Sequence, residues 1–289
     1  AYRLQRILLP ALGRALSLGY APLLPWVFVG ANLIALVSST ALLEDLLRQA
    51  RVSRWYALTY GLFPGVFMAV RLSTTEALAY GLVVGALWLA KRERWMGTAI
   101  LLALAALAKE TTLLCAAGVV LFLLRERRWR SAALLTAIVA APFFAWQIAL
   151  LIWLGRPGVG SGGALATPFE IIPYTGVWRI ATEGGLLVFL VLGVLLVLPA
   201  AVLPSLWALW RTLRDWQSGQ CDLSTCLLLL NAAIMPFVPF STYREFLGLL
   251  RFMPGLVLAV VWYAAVHRQR RALLYSTLWI ALIAFVVAG

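Results

Sequence analysis

The sequence predicts an all-α integral membrane protein, a polytopic helical bundle, and three observations carry that prediction. Of its 289 residues, 63% are hydrophobic and only 12% charged, and the mean hydropathy is +0.93. A water-soluble core cannot bury that much apolar surface, so the solvent has to be lipid. The apolar residues lie in runs parted by short charged breaks, and the basic residues concentrate in alternate breaks. A multi-pass protein marks one side of its membrane in this way. The net charge of +13 therefore reads as sidedness, with no nucleic acid as partner.

Each element can be justified in turn. Residues 2–17 set Leu4, Ile7, Leu8, Ala11, Leu12, Ala15 and Leu16 on one helical face and Arg3, Arg6 and Arg14 on another. That spacing describes a helix lying in the interface plane. Ten crossings are expected, at 22–43, 55–70, 74–90, 95–108, 111–124, 131–154, 184–210, 223–240, 253–266 and 272–288. Several hold only 14 to 17 residues, short of the ~20 that a helical span needs. The breaks 44–54, 91–94, 125–130, 211–222 and 267–271 share one side and hold 15 of the 24 Lys and Arg residues. They are the cytoplasmic loops on that count. KRER and RERRWR can share a side only if residues 95–124 cross twice, turning at Lys109-Glu110. The N-terminus is then external, which predicts at least one transmembrane helix ahead of Ala1. Residues 1–289 form a single transmembrane domain in this scheme. The Gly- and Pro-rich stretch 155–185 is its external loop, where a cysteine placed near Gly162 should label from outside.

Charges at the external boundary are the informative ones, because charge near lipid is costly. Arg71 and Glu76 flank the turn RLSTTEALAY, Lys109 and Glu110 form AKETT, and Arg244 and Arg251 lie in STYREFLGLLRFMPG. With Arg3 and Arg6, the topology collects them at one depth. The arginines suit a phosphate or diphosphate, and Glu76 and Glu110 are the carboxylates available to position or deprotonate a hydroxyl. Each charge alone also fits a plain helix end, and an acid after Thr74-Thr75 fits a cap. Trp178 is the aromatic best placed to stack on a sugar. The three cysteines form no tight metal-ligand pair, and Cys221 and Cys226 fall on the reducing side. The single histidine, His267, lies in a basic run, against haem. GVGSGG lacks the Lys-Ser/Thr of a phosphate loop. No cofactor is called for, and a divalent metal stays open.

Four stretches together carry a resemblance: YRLQRILLPALGRAL at 2–16, ALTYGLFPGVFMAVRLSTTEALAYGL at 57–82, LALAALAKETTLL at 102–114 and REFLGLLRFMPGL at 244–256. They resemble bacterial members of the GT-C glycosyltransferase superfamily, in its mannosyltransferase (PIG-V-like) branch. The resemblance implies transfer of a sugar from a polyprenyl-phosphate lipid on the external face of a bacterial plasma membrane, without a nucleotide. It implies that Glu76 and Lys109-Glu110 line the cavity, that Arg251 serves the donor phosphate, and that Arg3 and Arg6 follow an acidic loop. It puts the catalytic acid in that loop, ahead of Ala1. Glu76→Gln or Arg251→Ala should then reduce transfer and leave the fold intact. Two rivals stay beside this reading: a transporter or flippase for lipid-linked or anionic substrates, and a non-catalytic membrane subunit.

Overall fold

The computed structural model describes residues 4–160 and 166–284. Arg3, residues 161–165 of the long loop with Gly162, and the end of the 272–288 segment lie outside them. Every regular element among the described residues is helical.

The N-terminal helix is shorter than the expected 2–17. It is α1 (Leu8–Leu16), with Pro10 in the first turn, where its missing N–H breaks no helical bond. Arg6 therefore precedes the helix, in an irregular segment. After α1 come α2 (Leu24–Gln49), α3 (Ala57–Gly61), α4 (Pro64–Arg71), α5 (Glu76–Ala90), α6 (Trp95–Ala108), α7 (Leu113–Arg125) and α8 (Trp129–Leu154). The second half comprises α9 (Thr175–Val188), a wide π-type segment (Phe189–Val202), α10 (Leu203–Gln217) and α11 (Leu223–Ala233). It ends with α12 (Phe240–Arg244), α13 (Phe246–Phe252), α14 (Pro254–Val266), α15 (Arg270–Ser276) and α16 (Leu278–Ala281).

Among the described residues three helical runs are long and apolar enough to span a bilayer: Ala21–Gln49, Trp129–Leu154 and Thr175–Gln217. The pair α13 and α14, bent by 51°, makes a fourth if counted as one span. The other expected crossings hold shorter helices. The 15 residues of α5 and 14 of α6 rise about 21–22 Å, against ~30 Å of hydrocarbon. The 55–70 segment splits because Pro64 forces Phe63 into an extended backbone, which ends α3 and starts α4. Likewise 223–240 stops as α11 at Ala233, before a tight turn at Met235–Phe237 and the extended Pro239. Part of the expected loop 155–185 is helix: α9 starts at Thr175, supported by an Arg179–Glu183 pair one turn apart. Gly185, at φ 79°, interrupts its dihedrals where the expected 184–210 crossing begins.

Contacts settle how the loops are arranged. Glu93, before α6, pairs with Arg128, after α7, at 3.1 Å, and Trp95 meets Phe122 at 6.4 Å between ring centres. The two helices thus form an antiparallel hairpin that turns at Lys109-Glu110. Arg92 pairs with Asp45 at 3.1 Å, Arg125 donates to the Gly219 carbonyl at 2.6 Å, and His267 lies 3.4 Å from Asp222. Arg51 lines one cleft with Arg268 and Arg270. These contacts close the five basic loops into a ring at one end of the bundle. At the centre stands α14, buried on every side from Pro254 to Ala265, as a helix apolar all round should be. Around it the backbones approach closely: a Cβ on Gly118 of α7 would come within 3.0 Å of the Leu227 Cα on α11. On the outside, α2, α8 and the Thr175–Gln217 run turn Ile34, Phe144, Ile152 and Leu187 outward, an apolar surface suited to lipid.

Candidate functional site

Opposite the basic ring, five charged side chains from four parts of the sequence converge. Glu76 opens α5 and is wholly buried. Its Oε1 accepts from Lys109 Nζ at 2.7 Å and from Arg251 Nε at 2.9 Å. Thr75 makes no cap bond with its side chain, so Glu76 is held by cations and not by a capping arrangement. Lys109 stands between α6 and the turn Glu110–Thr112 with extended backbone (φ −158°, ψ 125°). That break in the helix turns its side chain back into the bundle, where Nζ also donates to the Arg251 carbonyl at 2.8 Å. Arg251, in the last turn of α13, is the more open partner. The position of α13 depends on Gly65 in α4, where any Cβ would overlap the Leu250 carbonyl.

The second half of the cluster is a two-pronged pair. Arg6 donates from Nε to Glu110 Oε2 at 3.0 Å and from Nη2 to Glu110 Oε1 at 2.6 Å, the strong fork geometry of guanidinium on carboxylate. Burial works to raise the Glu110 carboxyl, but the Arg6 bonds and charge outweigh it and hold the group below its ordinary value. Burial holds the Lys109 ammonium below the usual lysine value, with the Glu76 charge opposing. Beside the pairs, the Tyr80 hydroxyl and Thr111 Oγ1 are hydrogen-bonded at 3.0 Å. Among the described residues, three cations against two carboxylates leave one positive charge in excess.

Next to Arg6 and two residues before Lys109 opens an apolar groove of about 360 Å³, lined by Ile7, Leu107, Pro142, Ala145 and Trp146. Polar anchors in α8 hold it together. Trp146 Nε1 donates to the Leu4 carbonyl at 3.0 Å, and Gln147 Oε1 accepts from the Gly158 and Val159 amides at 2.9 and 3.1 Å. Sequence reading passed over both, although Gln147 is the one amide in the apolar 26 residues of α8.

The structure thus joins Arg6, Glu76, Lys109, Glu110 and Arg251. Arg71 and Arg244 stay outside the cluster: both are exposed, and Arg244 stacks on Phe240 at 5.4 Å. Trp178 is 64% exposed on α9, edge-on to Phe189 at 6.2 Å. Beside it Arg179 ties Glu170 at 3.1 Å and Glu183 at 2.7 Å. Among the described residues no three His, Cys, Asp or Glu side chains group as a metal site.

The sequence profile of glycosyltransferase family 87 matches residues 11–158. No curated protein and no solved structure matches the chain. The matched stretch spans about half of the 289 residues. It contains Glu76, Lys109 and Glu110, whereas Arg6 and Arg251 lie on either side of it. With a GT-C-type family matched over α1 to α8, and an ionic cluster built on that half, the chain belongs to glycosyltransferase family 87.

Proposed function

We propose that the chain transfers a hexose, mannose-like in the branch it resembles, from a polyprenyl-phosphate lipid to an acceptor hydroxyl at the external face of a bacterial plasma membrane. One observation carries this reading: a cluster with a net positive charge stands beside an apolar groove. A phosphate would meet Arg6, Lys109 and Arg251 while its prenyl chain lay along Ile7, Leu107 and Trp146. In the transfer, the sugar C1–O bond to phosphate breaks and a C1–O bond to the acceptor forms. The acceptor loses its proton, and the departing polyprenyl phosphate takes up negative charge. Fixed cations at that position favour the transition state over the ground state. Glu76 and Glu110 are proposed as the carboxylates that set those cations in place.

The test supplies the full-length protein in proteoliposomes with a polyprenyl-phosphate hexose and follows release of the polyprenyl phosphate. Arg251→Gln removes a cation and leaves Glu76 its Lys109 partner. The expected loss in kcat is on the order of 10²-fold, with the melting temperature nearly held. Transfer from a nucleotide sugar and none from the lipid donor would overturn the reading. A non-catalytic subunit is the second reading, favoured because Glu110 commits both oxygens to Arg6 and Glu76 commits one to Lys109 and Arg251. Donor binding with no turnover would decide for it.

A further inference from the structure

The basic end of the bundle holds a second polar feature, unconnected with sugar chemistry. A cleft of about 460 Å³ lies between the turn that ends α2 and the turn joining α14 to α15. Arg51, Arg268 and Arg270 converge on it. Elsewhere on this end several arginines have carboxylate partners: Arg92 holds Asp45 and lies over Trp88, Arg128 holds Glu93, and Arg54 holds Glu44. Within the described residues no carboxylate comes within 4.0 Å of Arg51, Arg268 or Arg270. Arg51 (φ 57°) and Arg268 (φ 51°) also adopt the left-handed backbone that bulky residues avoid. Both turns thus present their arginines to one space, where three like charges repel until an anion enters.

The remaining wall is of the opposite kind. Leu273 and Leu274 of α15 line the same cleft, with Leu274 62% exposed, and Tyr56 adds a ring and a hydroxyl. A cationic rim over an apolar, outward-facing wall fits a ligand with an anionic head and a hydrocarbon tail. We infer that this cleft binds the phosphodiester headgroup of an anionic glycerophospholipid, with an acyl chain along the exposed Leu274. Basic pockets between helix ends at the membrane surface select such headgroups. The lipid would bridge loops 50–54 and 267–271, whose shared charge otherwise pushes them apart.

Native mass spectrometry of the full-length protein in mild detergent tests this, with phosphatidylglycerol, phosphatidylcholine and soluble glycerol 3-phosphate titrated separately. Phosphatidylglycerol should be retained well above phosphatidylcholine, and glycerol 3-phosphate should not hold. The triple variant Arg51→Gln, Arg268→Gln, Arg270→Gln should weaken phosphatidylglycerol on the order of 100-fold and leave phosphatidylcholine unchanged. A second variant, Leu274→Glu, keeps all three arginines, places a carboxylate in the cleft and should also displace the lipid. The control Arg94→Gln, Arg127→Gln, Arg130→Gln removes the same charge from the same end and should change nothing. Equal loss in the control would mean unspecific attraction to a basic surface. Tight glycerol 3-phosphate would mean a soluble phosphate site, and unaltered binding in the triple variant would mean no site here. Each of these three results overturns the assignment.

Discussion

Glu76 accepts two cations on one oxygen, and that geometry decides what its loss costs. Replacing it with Gln keeps the shape and strands Lys109, whose side chain is 5% exposed, with no carboxylate in contact among the described residues. Breaking a buried pair from one side costs about 3–5 kcal/mol, so Glu76→Gln should lower the melting temperature in detergent by many degrees. The double variant Glu76→Gln, Lys109→Met should recover much of that loss. A single variant as stable as wild type would refute the buried pairing. The sequence alone had suggested that Glu76→Gln would spare the fold, because burial cannot be read from a helix-start motif. Glu110 makes a pH prediction. Its folded value is held below the ordinary 4.5, so its contribution is complete above about pH 4.5 and fades as pH falls through the lower folded value. The stability gap between wild type and Glu110→Gln should be flat above pH 5 and narrow as the pH is taken below 4.5; a gap that widened in acid would contradict the pair. Which charges come together was partly legible: Glu76, Lys109 and Glu110 stand out at the ends of apolar runs. Their partners were not, since Arg6 and Glu110 are 104 residues apart, and Arg71 and Arg244 look no different from Arg251 in sequence.

At the scale of elements, the tightest constraint is the crossing of α4 and α13. Gly65→Ala would drive a methyl into the Leu250 carbonyl, and overpacking of that kind costs about 1–3 kcal/mol. Because Arg251 is the next residue, the variant should also lose at least tenfold in sugar transfer. Gly30→Ala in α2 has no atom within 4 Å of the new Cβ and should be neutral or slightly stabilising. Equal behaviour of the two would show that the α4–α13 contact does not matter to the site. Apolar runs between charged breaks located most of these helices, and the rule that basic loops share a side yielded the α6–α7 hairpin. Their lengths were less legible. A run such as 55–70 reads as continuous in composition, and only Pro64, through the backbone of Phe63, divides it. The helical start at Thr175 rested on an i, i+4 ion pair inside a Gly- and Pro-rich stretch.

For the whole molecule, charge sorting is the property most plainly written in the sequence. Five basic loops were assigned to one side by counting, and Asp45, Glu93, Gly219 and Asp222 tie them together there. The sidedness in the cell proposed from the same count can be tested directly. The native cysteines are buried, so background labelling should be low. A cysteine at Arg156 should react with an impermeant maleimide from outside, and one at Arg271 only after permeabilisation. The reverse result would invert the orientation and take the proposed external site with it.

The groove beside Arg6 is open along α8, where Ala145 is exposed and Pro142 and Trp146 are half-buried. On the proposed reading that apolar mouth meets hydrocarbon, and a donor reaching it would arrive by lateral diffusion within one leaflet. The enzyme would then sense the mole fraction of donor among lipids, with bulk molarity irrelevant. Diluting proteoliposomes with neutral phospholipid, at constant total donor and protein, should slow transfer as the surface becomes sparser. A rate indifferent to that dilution would mean a substrate drawn from water.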